Sequence, residues 1–215
     1  MSTSDIQKVQ QAQLHSTLWD MANNLRGSME AYEFKSYILG LIFYRYLSEK
    51  VEKNAHLLLK EDNISFEDFY ADNDEDVRND FSSDIVESLG YFIAPQYLFS
   101  HFTKVLKETN SFDIEELDKA ISAISESSLG TQSQHDFEGL FDDMDLKSTK
   151  LGKDVKERSQ VIGKVLASID NLDLDFDNAE IDVLGDAYEY LMACSPRQQA
   201  KKLANSIHHN KYPKS

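Results

Sequence analysis

At 215 residues, 41% of them hydrophobic, the chain is long enough to bury one core of ordinary size, about 70% of the surface that its unfolded form exposes. Its 38 acidic residues outnumber 22 basic ones for a formal charge of −16, which repels nucleic-acid phosphates and argues against DNA binding by the chain as a whole. A single cysteine excludes an internal disulfide and a thiolate metal cluster, and no apolar run nears the roughly 20 residues that span a bilayer, so a cytoplasmic protein with no membrane contact is expected.

Apolar residues recur at helical spacing along most of the chain, which predicts an all-α fold, a helical bundle. Leu14, Leu18, Met21, Ala22 and Leu25 form one face of a first helix that ends near Gly27, after a flexible stretch over 1–13. Phe34, Ile38, Leu41, Ile42 and Leu47 lie in a longer helix over 30–59. Phe43, Tyr44 and Tyr46 make that helix apolar on more than one side, so it should be central. Val77, Phe81, Ile85 and Leu89 repeat every four residues up to Gly90, a helix stop. Pro95 holds Ala94 extended before a helix bearing Leu98, Phe99, Phe102, Val105 and Leu106.

Asp113 with Glu116 predicts a capping box for the helix of Ile114, Leu117, Ile121 and Ile124, which should fray near Ser127 and Ser128. Residues 127–146 are polar and glycine-bearing and read as a structured loop or a few short turns. Val155, Arg158, Ile162, Val165 and Ile169 mark another helix, and Ile181, Leu184, Tyr188 and Leu191 a last one.

Composition then changes. Residues 192–215 hold the only cysteine, Cys194, two of the three prolines, five basic residues and no acidic one, leaving 17 basic against all 38 acidic residues, or −21, in 1–191. This is the mark of a foreign, disordered tail, and Cys194, His208 and His209 within it are not read as metal ligands.

Within the acidic body, Lys147, Lys150, Lys153, Lys156 and Arg158, with Lys164 further on, form the densest basic segment. A loop running into a helix N-terminus suits phosphate contact, although a solvated mixed-charge face is the commoner outcome. Arg26, Lys35 and Arg45 are a second candidate set, with salt bridges to Glu30, Glu33 and Glu49 as the simpler alternative. Asp142, Asp143 and Asp145 lack the spacing of a Ca²⁺ loop, so no metal site is assigned. Trp19 stands off the stripe of the first helix, as an interface anchor would, but core burial is the usual fate of a large aromatic. Tyr190 is left over for a neighbouring domain if Tyr188 packs inward.

Four blocks carry a family pattern: LWDMANNLRGSMEAYEFKSYILGLIFYRYLSEK at 18–50, GYFIAPQYLFS at 90–100, DFEGLFDDMDL at 136–146 and DVLGDAYEYL at 182–191. In order and spacing they resemble the N-terminal helical domain of the modification subunit of type I restriction-modification enzymes, over about 14–191. A nucleotide run that encodes KKLANSIHHN, at 201–210, encodes KAGEFYTPQ when read two bases on. GEFYTP resembles the segment that opens the family's methyl-donor domain, which makes the tail an apparent out-of-frame sequence.

The resemblance implies a helical domain preceding a Rossmann-like domain that uses S-adenosylmethionine to methylate the adenine amine of DNA. It implies as partners a specificity subunit, a second modification subunit, a motor-nuclease subunit and, in the assembly, DNA. The catalytic motifs are not in this sequence: it has no Asn-Pro dipeptide for the loop that holds a flipped base, and its eight glycines form no G-x-G turn. No catalytic residue and no cofactor site are therefore assigned, and the chain alone is expected to be inactive. The alternative is an acidic helical module that mimics the charge of DNA.

Overall fold

The computed structural model describes residues 3–24, 34–172, 185–187 and 189–190, and no strand occurs among them. Among the described residues eight α-helices are delimited: α1 Thr3–Asn24, α2 Phe34–Leu58, α3 Phe66–Asp72, α4 Glu75–Leu89, α5 Phe99–Thr109, α6 Ile114–Ser127, α7 Gln134–Phe137 and α8 Val155–Asp170. The expected all-α fold is observed. The chain divides into two compact units, Met1–Leu39 with Asn171–Ser215, and Gly40–Asp170.

In the first unit, α1 starts at Thr3, ahead of its apolar pattern, and buries Leu14, Leu18, Met21 and Ala22 on the expected face. Phe34, Tyr37 and Ile38 add to this core, as do Leu172 and Ala187. His15 Nε2 lies 2.7 Å from Asp186 Oδ2 and its ring stacks on Tyr190 with centroids 4.1 Å apart, so a helical segment near the end of the chain is clasped to α1.

The second unit is built around the rest of α2, which buries Leu41, Ile42, Tyr44, Leu47, Ser48, Val51 and Ala55. The central position expected for a helix apolar on several sides is observed. The Tyr44 hydroxyl donates to the Tyr97 carbonyl, and that of Tyr91 to the Leu47 carbonyl at 2.9 Å. Burial raises the pKa of both phenols and keeps them protonated donors.

Two buried serines finish helix ends from a distance. Leu98, the residue before α5, offers no side-chain cap, and the Phe99 N–H donates instead to Ser48 Oγ of α2 at 3.1 Å. The Ile114 N–H that opens α6 donates to Ser159 Oγ of α8 at 3.2 Å. Ser48→Ala and Ser159→Ala should each lower stability by about 1–3 kcal/mol, because each leaves a buried N–H unpaired. Urea unfolding checks this, and a loss confined to a few tenths of a kcal/mol would mean that the N–H finds another acceptor.

The structure amends several expectations. Phe81 and Ile85 are buried, but Val77 is 39% exposed because it sits in the first turn of α4, where its N–H is capped by Asp74. Asp113 does cap α6, through the N–H of Glu115, while Glu116 turns outward to Lys119 at 2.6 Å, so the reciprocal half of a capping box is replaced by an ion pair. α3 has no counterpart in the sequence reading, being too short to show a period; its Phe66 and Phe69 pack on Phe81, at 5.6 and 4.6 Å. The stretch 127–146 is a structured loop with one helical turn, tied down by Phe137 against Tyr91, Phe141 against Phe43, and Met144 over Gly40.

Candidate functional site

The basic segment runs from the end of this loop onto α8. Lys147 is held by Asp118 at 2.9 Å, a hydrogen bond that raises the lysine's pKa, and its backbone N–H is turned onto Asp145. Lys150 and Lys153 follow, both exposed, with the Lys150 N–H on Ser148 Oγ. The helix N-terminus is not open to an anion in the manner expected. Asp154 accepts from the Glu157 N–H at 2.8 Å, and Glu157 reaches back to the Lys153 N–H at 2.8 Å, so carboxylates of the chain occupy the place of a phosphate. What remains for a partner is side-chain charge.

On α8, Lys156, Gln160 and Lys164 form an exposed stripe along a groove of about 890 Å³, floored by Leu106 and Phe112. Gly163 faces Phe112 across this groove, where a Cβ would make ordinary contact at 3.4 Å. Arg158 is half-buried, and its Nε has no hydrogen-bond partner among the described residues.

The second basic set is divided between the two units. Arg26 lies outside the described residues, and Lys35 is half-buried on α2 in the first unit. Arg45 is only 14% exposed: it pairs with Glu49 at 2.8 Å, donates to the Ile169 carbonyl at 2.6 Å and lies 5.8 Å from the Phe99 ring centre. Its guanidinium binds α2 to the end of α8, and the salt bridge to Glu49 is the alternative anticipated for it.

Trp19 is 40% exposed, which overturns the expected core burial; it lies one residue round from the buried Leu18 on α1. Tyr190 is half-buried against His15 rather than left unmatched, while Tyr188 lies outside the described side chains. Asp142, Asp143 and Asp145 are exposed, with Asp145 capping its own turn. Cys194, His208 and His209 lie outside the described residues. Glu52 is the described carboxylate whose pKa burial raises; it accepts from Ser100 of α5 and belongs to the packing of α2, away from the α8 groove. Sequence reading passed over the opposite face of α4, where Asp76, Asp80, Asp84 and Glu87 form an exposed acidic stripe visible in their spacing of three and four residues.

The all-α body of the described residues agrees with its relatives. The family model described as HsdM N-terminal domain matches residues 14–169. The chain belongs to the HsdM N-terminal domain family. This HsdM domain is 33% identical over 189 residues to the type I restriction enzyme MpnII methylase subunit of Mycoplasma pneumoniae, across 86% of this chain and 35% of that protein. It is also similar to the crystal structure of the type I restriction-modification system methyltransferase subunit from Streptococcus thermophilus, with a TM-score of 0.67 and 31% identity over 86% of this chain and 38% of that one. The HsdM domain described here thus spans little more than a third of the length of these relatives.

Proposed function

We propose that this chain supplies the assembly and DNA-enclosing surfaces of a type I modification subunit, in the cytoplasm, while methyl transfer from S-adenosylmethionine to adenine belongs to sequence that the chain does not contain. The observation that carries this reading is the family match over 14–169, in a sequence with neither a G-x-G turn nor an Asn-Pro dipeptide. Its partners in this reading are a specificity subunit, a second modification subunit and a motor-nuclease subunit, with DNA held in the assembly. No helix among the described residues is long and apolar enough to cross a membrane.

Because the body is acidic, DNA is reached only where exposed lysines such as Lys150 and Lys153 project from the loop ahead of α8, and only with partner subunits supplying most of the positive charge. The ordered family match gives this reading precedence over a mimic of DNA charge. Titration of S-adenosylmethionine into the chain is the direct test. Heat indistinguishable from dilution is expected, and saturable binding would place a donor site in the helical domain and overturn the reading.

A further inference from the structure

The groove between α5 and α8 has an apolar floor that the core does not cover: Leu106, Phe112 and Ala167 are half-buried, and Val155 at one end is 37% exposed. From Val155 to Ala167 it follows α8 for about 18 Å, a little over three helical turns. Lys156 and Lys164 stand along its edge, both exposed and about 12 Å apart on the helix axis, with Gln160 between them. Among the described residues neither lysine is paired with a carboxylate, whereas Lys107 on α5 is held by Asp170. The acids close by are turned to backbone: Asp113, on the groove wall, accepts from the Glu115 N–H at 2.9 Å, and Glu157 from the Lys153 N–H at 2.8 Å. Behind the groove Ile162, Val165 and Leu166 are buried, so its α8 wall is fixed in the core.

We propose that this groove takes an acidic amphipathic helix of a partner protein, its apolar side chains on Leu106 and Phe112 and its carboxylates on Lys156 and Lys164. Apolar residues recurring every three or four positions on such a helix line one face, which fits a floor three turns long. Carboxylates eight residues apart on its flank match the spacing of the two lysines. A DNA duplex has no apolar face to cover Leu106, Phe112 and Val155, and it meets the field of a chain with a formal charge of −16 along its whole length. A single helix with a few acids engages the local lysines at short range. Its ion pairs are exposed, so the apolar floor supplies most of the affinity and the lysines select an acidic partner over a basic one. The site needs neither a methyl donor nor DNA, and it takes Lys156 out of the set of phosphate contacts.

Fluorescence anisotropy of a labelled synthetic peptide with the full chain tests it. The probe is a helical peptide of about 18 residues with Leu at every third and fourth position and Glu beside them. Saturable binding is expected, with Kd on the order of 10–100 µM for a shallow groove with exposed ion pairs. Because the chain as a whole repels an acidic peptide, binding reports a local site. Lys156→Glu with Lys164→Glu should weaken it at least about tenfold, since like charges then face each other. Both positions are exposed, so the thermal midpoint of this variant should equal that of the parent. A second peptide with Ser for every Leu should lose binding as well. No saturable binding, a charge-reversed variant that binds as the parent does, or a serine peptide that binds as well as the leucine one would each overturn the proposal. So would a short DNA duplex that displaces the peptide and itself depends on Lys156 and Lys164. No specificity subunit enters this test, so its failure leaves the assembly reading above to its own measurement.

Discussion

Arg45→Ala should cost about 2–4 kcal/mol of stability and lower Tm by roughly 5–15 °C for a chain of this size. Arg45 sits where three requirements meet: Glu49 needs a cation, the Ile169 carbonyl, in the last turn of α8, accepts from the guanidinium, and the Phe99 ring offers its face. At 14% exposure water replaces the guanidinium poorly, so truncation strands a carboxylate and a carbonyl together. Arg45→Lys should recover only part of the loss, since one ammonium cannot serve both acceptors in the geometry of the guanidinium fork. Thermal unfolding of the two variants decides the matter. A loss below about 0.5 kcal/mol for Arg45→Ala would show that the pair behaves as an ordinary surface salt bridge.

Gly152→Ala should destabilise by about 1–3 kcal/mol through overpacking, although it adds a single methyl group. A Cβ at Gly152 would lie 2.5 Å from Glu157 Cβ, 2.8 Å from the Arg158 nitrogen and 2.9 Å from the Glu157 carbonyl carbon. Two of these atoms are backbone of the first turn of α8, so the clash is relieved only by opening the turn that Asp154 and Glu157 cap. Gly40→Ala is the control. Its Cβ would meet Met144 Sδ at 2.9 Å, a flexible side chain that can yield, and the cost should stay below about 1.5 kcal/mol. Equal urea midpoints for the two variants would mean that the loop before α8 is not held tightly against it.

Periodicity revealed the long elements because burial acts on whole faces: the stripe of α1, the many-sided burial of α2 and the Phe81 and Ile85 side of α4 are all legible as spacing. It failed where a local or distant contact decides. Val77 keeps the period of its helix yet lies outside, and α3 is fixed by stacking on Phe81 rather than by a repeat. The cap of α8 was the larger miss for the candidate site. Asp154 and Glu157, two acids within a basic segment, consume the N–H groups that would have drawn a phosphate. Arg45 likewise looked like one of three surface cations, and only the fold brings the Ile169 carbonyl to it, more than a hundred residues along the chain. The family, by contrast, was legible from four ordered blocks, because order and spacing together constrain far more than any one helix does.

The central claim, that this HsdM domain is an assembly part of a type I modification subunit, is tested most directly by mixing the chain with a type I specificity subunit from the same source. Light scattering on a sizing column would then be used to weigh the product. A peak with the mass of a defined complex, absent with an unrelated acidic helical protein, is the predicted result. Two separate peaks at their own masses would contradict it.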